Sequence, residues 1–208
     1  NESRQGVAHI NTQTLERSVV TGKSLTLTHS LSIGELKAIW SNRTVNWDDV
    51  LDLDGGPFPI AETERHTKYD AKTLEIQLSG SSDSIEYVLG YYQIKDDAFT
   101  ANPQSFFGGG SVFAQNYSGT SDANAFFGQV TWSVADKWDL TVGARKTEED
   151  KTGFKEYVGI FGQNGQGSFD DTSSTFILSH DYSENTNLYF KLADGFKAGG
   201  INAEAPTP

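Results

Sequence analysis

The residues that could do chemistry in this chain are few and dispersed. His9, His29, His66 and His180 lack the spacing of a metal-ligand set, so each reads as a solvated or interfacial side chain before a ligand. Asp52-Leu53-Asp54-Gly55 opens like a calcium loop, but the acidic ligands that such a loop needs further on are missing, and a polar turn accounts for it. There is no Gly-rich phosphate loop before a helix and no serine nucleophile motif. The pattern predicts no enzyme, no metal centre and no bound cofactor. The best binding candidate is Phe106-Phe107, followed by Gly108-Gly109-Gly110 and, in the same connection, by Phe113 and Tyr117. Aromatic rings offer a bulky ligand large contact area, and glycines let a loop close over it. Packing of that loop on itself is the competing reading.

Composition narrows the class. The 208 residues hold 16 Lys+Arg against 28 Asp+Glu, a net charge of −12, which excludes the basic face that sequence-independent nucleic-acid binding requires. No nucleic-acid partner is expected. Cysteine is absent, so disulfide frameworks, zinc ribbons and thiol catalysis are excluded. Methionine is absent too, and the chain is expected to be an excerpt of a longer one. No apolar run approaches the ~20 residues of a spanning helix. Mean hydropathy is −0.47, which does not argue against a β-barrel, whose strands show lipid only their alternate positions.

Alternation is the main structural signal. Phe126-Gly128-Val130-Trp132 and Trp138-Leu140-Val142-Ala144 are period-two runs separated by Ala135-Asp136-Lys137, which predicts a hairpin with a tight turn and a tryptophan on each strand beside it. Leu25-Leu27-His29-Leu31 with Leu36-Ala38-Trp40, Leu74-Ile76-Leu78 with Ile85-Tyr87-Leu89-Tyr91, and Phe176-Leu178-His180-Tyr182 with Leu188-Phe190-Leu192 repeat that build. Three long polar connections, 44–66, 98–121 and 152–172, join the four hairpins. Short turns at one end and long loops at the other are the asymmetry of an outer-membrane barrel. The fold class expected is therefore all-β: an antiparallel transmembrane β-barrel segment of about eight strands, with tight periplasmic turns and three long extracellular loops. Phe126, Val130, Trp132, Trp138, Leu140 and Val142 are predicted to face lipid, and Gln129, Thr131, Thr141 and Arg145 to face inward.

Four pieces of the chain, in order, resemble the TonB-dependent outer-membrane receptors. They are Leu36 to Arg43 followed by Asp52-Leu53-Asp54-Gly55; Leu74 to Gly80 leading to Tyr87 to Tyr92; Ala125 to Trp132 with Leu140 to Arg145; and Leu188-Tyr189-Phe190 with Gly195-Phe196-Lys197-Ala198-Gly199-Gly200-Ile201-Asn202, similar to a "GFKAGG" strand signature of that family. The last is the most specific. The resemblance implies that residues 1–208 are the middle of a β-barrel domain whose plug domain and C-terminal strands are absent here, in a receptor of about 22 strands.

It further implies energy-coupled uptake of a scarce nutrient at the outer membrane of a Gram-negative bacterium. A ferric siderophore is the first choice of cargo, and a carbohydrate or cobalamin the alternative. The partners implied are outer-membrane lipid, that small nutrient and an inner-membrane TonB-type protein acting through the plug. On this reading Arg145, Lys191 and Lys197 face the lumen, where they either attract an anionic iron chelate or pair with plug carboxylates. The ligand-contact candidates are Phe106, Phe107, Phe113, Tyr117, Arg145 and Lys191, while Gly195 and Gly199-Gly200 read as structural. From the strand pattern alone, a complete eight-stranded structural barrel and a soluble β-sandwich binding module also stay open.

Overall fold

The computed structural model describes residues 10–201, so His9 lies outside the described residues. Within them the chain forms eight strands, β1 (Leu15–Leu31), β2 (Gly34–Asp52), β3 (Ala61–Ser81), β4 (Ile85–Phe106), β5 (Ser111–Ala135), β6 (Trp138–Tyr157), β7 (Phe161–Ser183) and β8 (Thr186–Ala193). They lie side by side in chain order as one antiparallel sheet. The four expected hairpins are present, each closed by a short turn; in the Asp136-Lys137 turn the backbone of Lys137 is left-handed (φ 64°), beside a register shift at Ser133/Ala135.

The three long extracellular loops are not there. Residues 44–66, 98–121 and 152–172 are mostly strand, and the connections shrink to 53–60, 107–110 and 158–160. The β-ladder needs only backbone groups, so it continues where the apolar alternation that marks a strand in sequence has stopped. Polar pairs across the strands replace the apolar ones: Thr67 with Thr100 (2.9 Å), Thr63 with Asn102 (2.6 Å) and Thr120 with Thr152 (2.6 Å). At 25 residues β5 is roughly 80 Å long, where 9–11 residues suffice to cross a bilayer.

The register sorts side chains onto two faces. Every buried residue among those described falls on one of them: Asp49 in β2, Thr63 and Ala71 in β3, Thr100 and Asn102 in β4, Ala123 and Ala125 in β5, Thr141, Gly143 and Lys155 in β6. Such one-sided shielding marks the inside of a curved sheet. The opposite face carries the apolar alternation, and its large side chains stand bare, Leu27 61%, Phe126 65% and Phe190 58% exposed. Among the described residues the buried apolar side chains are three alanines. A soluble sandwich needs a second sheet packed on the apolar face, and a bare face of this extent calls for lipid. Phe126, Val130, Trp132, Leu140 and Val142 lie on that outer face, with Trp138 beside the turn, while Gln129, Thr131, Thr141 and Arg145 lie inside. Trp138 stacks on His180 (centroids 4.2 Å apart, 17° between planes) at the short-turn end of the apolar band, placing His180 at an interface rather than in a ligand set.

Candidate functional site

A depression of about 910 Å³ on the outer face is lined by Leu36, Ile76, Leu89, Tyr91 and Phe126. It offers a polar solute almost no partner and suits an acyl chain. Beyond the apolar band the outer face carries charged pairs, His66 with Asp48 (2.8 Å) and Glu64 (3.0 Å) among them, but the candidate contact residues gather on the inner face.

Near the far ends of β2 and β3, Asp49 and Arg65 stand opposite each other. Asp49 is 2% exposed and accepts two parallel bonds, from Arg65 Nε to Oδ1 (3.0 Å) and from Nη2 to Oδ2 (2.7 Å). Arg65 also lies 5.0 Å over the ring of Trp47, one pleat from Asp49. A planar guanidinium satisfies a carboxylate and a ring face together, which a lysine cannot do. Sequence reading placed all three residues in a loop and missed them. The available signal was alternation of a polar kind, with Trp47 and Asp49 on one parity of β2 and Thr63 and Arg65 on the matching parity of β3.

Closer to the apolar band, Gly90 stands opposite Phe127, whose ring folds over the space a Cβ would need. The Arg145 guanidinium lies 5.8 Å from both the Phe127 and Tyr92 rings, and its Nε donates to Thr147 Oγ1 (3.1 Å). Arg145 is thus an inward cation framed by aromatic rings. Lys191 lies on the inner face of β8, opposite Ile177.

The aromatic loop is rearranged relative to expectation. Phe106 ends β4, and Phe113 and Tyr117 belong to β5, all on the inner face; Phe106 and Phe113 meet edge to face at 5.9 Å. Phe107 is at the tip of the turn, 74% exposed with φ 55°. The glycines after it do not hinge a lid: Gly108 and Gly109, at φ 67° and 89°, close a four-residue turn that other residues would strain. Asp52-Leu53-Asp54-Gly55 is a turn as well, with Asp52 Oδ1 accepting from the backbone N of Asp54 (3.1 Å) and Gly55 (2.8 Å). Tyr117 reaches a separate cavity of about 430 Å³, shared with Asp96, Ser121, Glu149 and Lys151. The candidates therefore fall into four places: the rim (Phe106 and Phe113, with Phe107 at the turn tip), the cavity (Tyr117), the band (Arg145) and the β8 edge (Lys191).

An antiparallel wall of overlong strands, apolar outside and polar inside, is the geometry of a large membrane barrel. The profile of the family described as "TonB dependent receptor-like, beta-barrel" matches residues 4–207. The chain belongs to that family. Solved TonB-dependent receptors share the fold at low identity. The ferric yersiniabactin uptake receptor FyuA from Yersinia pestis superposes with a TM-score of 0.80 at 15% identity, over 92% of this chain and 30% of that one. The siderophore receptor PiuA from Acinetobacter baumannii gives 0.64 at 10%, over 87% and 32%. The ferric-catecholate import receptor Fiu from E. coli K12 gives 0.59 at 10%, over 86% and 35%. This chain spans about a third of the length of these receptors. Comparison with curated protein sequences finds no match. TonB-dependent receptors work in the Gram-negative outer membrane as transport receptors rather than enzymes, and within that family the inner face described above is barrel lumen.

Proposed function

We propose that the chain is a wall segment of an outer-membrane receptor that takes up a ferric siderophore complex. The observation that carries this is the two-faced sheet: a bare apolar band outside, and inside a run of aromatic and cationic groups at Phe106, Phe113, Tyr117 and Arg145. Rings supply contact area for a bulky chelate, and cations in a lumen attract an anionic one. The relatives named for ferric yersiniabactin, siderophore and ferric-catecholate uptake support the choice of cargo. Transport of this kind draws on an inner-membrane TonB-type protein that pulls on a plug, so residues 1–208 act as part of a larger barrel domain with a plug inside it. Phe106, Phe107, Phe113, Tyr117, Arg145 and Lys191 are the contact residues proposed, with Arg145 first because its charge points inward.

The test is uptake of radioactive iron by an iron-limited strain lacking the full-length gene. Supplied in turn as hydroxamate, catecholate and citrate chelates, iron from at least one should enter no faster than in a strain without the TonB-type protein. Unimpaired uptake of all three removes the siderophore reading.

A further inference from the structure

After Ala193 the chain leaves the sheet. Asp194 still donates its backbone N to Ser174 O (3.0 Å) and accepts from Ser174 Oγ (2.6 Å). Residues 195–201 then cross the inner face of β7 and β6. Three glycines in register, Gly119 opposite Gly153 and Gly153 opposite Gly165, leave a groove across β5, β6 and β7. Ile201 fills its Gly153–Gly165 end: a Cβ on Gly153 would lie 2.9 Å from Ile201 Cγ2, and one on Gly165 3.1 Å from the same atom. The Phe169 ring packs against Gly199, and Lys151 Nζ donates to Gly199 O (3.2 Å). Ile201 thereby becomes one wall of the cavity that holds Tyr117, Asp96, Ser121, Glu149 and Lys151.

We propose that 194–201 is a strap docked in this glycine groove, and that it screens Lys151 from small anions in the lumen until it is displaced. The docking half rests on the contacts above alone; the screening half deepens the transport reading by giving Lys151 to an anionic solute. The holding contacts are few. Beyond Asp194 the strap makes no backbone–backbone hydrogen bond to the sheet among the described residues, so its release costs far less than opening a strand. Lys151 is already turned to Glu149 (3.0 Å), itself held by Ser121 Oγ (2.8 Å), and the third party at the ammonium is a neutral carbonyl. An anion replaces a carbonyl there with a stronger, charge-assisted bond. A side chain at 153 would displace Ile201 and one at 165 would press on it, which gives these glycines a role that strand geometry alone does not require.

Two readouts in the full-length receptor, in outer-membrane vesicles, decide the matter without any ligand. For docking, the cysteine pairs G153C/I201C and G165C/I201C are oxidised with copper phenanthroline. Both should crosslink, whereas T152C/I201C should not, because Thr152 neighbours Gly153 in the chain but lies on the outer face. Failure of both pairs in a folded receptor, or crosslinking of the control, overturns the docking. For screening, S121C is labelled with the anionic reagent methanethiosulfonate ethylsulfonate. Adding I201G should raise the rate by about fivefold or more, the scale of a shift of roughly 1 kcal/mol in strap occupancy. Adding K151Q should then lower it for this reagent but not for the cationic trimethylammonium analogue. Equal rates with and without Ile201, or no effect of Lys151, overturn the screening. A receptor that gives both expected results yet moves no iron refutes the transport reading and leaves the strap standing.

Discussion

Val130→Arg lowers the unfolding free energy of the full-length barrel in lipid vesicles by about 2–4 kcal/mol, while Gln129→Arg changes it by less than about 1 kcal/mol. The two residues are neighbours of similar size, and only the pleat separates them. Val130 faces Val142 across β5–β6 and Tyr87 across β4–β5, on the outer face between Gly128 and Trp132, within the apolar alternation. An arginine there must bend back to an interface or draw water into hydrocarbon. Gln129 faces Val88 and Gly143 on the inner face, where a longer cation meets water. Urea titration of both variants measures the difference, and equal costs would show that the sheet is not set in lipid as its register implies.

Asp49→Ala costs about 2 kcal/mol by the same measurement. Removing one partner of a buried ion pair leaves the other uncompensated, which costs about 3–5 kcal/mol when both are fully buried. Asp49 is 2% exposed but the Arg65 side chain is 29% exposed, and its guanidinium keeps the face of Trp47, so the lower figure applies. In a double-mutant cycle with Arg65→Met the coupling should reach about 1–2 kcal/mol, above the range of exposed pairs. A coupling under about 0.5 kcal/mol would make this a surface pair without structural weight.

How far these features can be read from sequence follows from which side chains reveal a strand. In β5 the residues from Phe126 to Trp132 alternate apolar with small or polar, because one face meets hydrocarbon, and that half of the hairpin, its turn and its facing are legible. In the same strand Gln115 to Asp122 is polar on both faces apart from Tyr117, and nothing in its hydropathy separates it from a loop, although the ladder to β4 and β6 is unbroken there. The ion pair of Asp49 and Arg65 was hidden for the same reason, since residues 16 positions apart in an assumed loop give no cue that they stand opposite. Phe106 and Phe113 were legible as candidates but not as a pair, because their meeting depends on a four-residue turn made by Gly108 and Gly109. Arg145 was legible in facing, while the rings that frame it come from β4 and β5 and needed the register. The glycines of the Gly119–Gly153–Gly165 groove read as loop glycines until three strands were aligned.

The central claim is that one face of this sheet meets lipid and the other a water-filled lumen. Residues 1–208 contain no native cysteine, so a single-cysteine scan of residues 125–132 in the full-length receptor, in its native membrane, is free of background from this segment. With a charged, membrane-impermeant thiol reagent, positions 127, 129 and 131 should label and positions 126, 128, 130 and 132 should not, a period of two along the strand. Labelling of even and odd positions alike, or of the even set alone, would contradict the account.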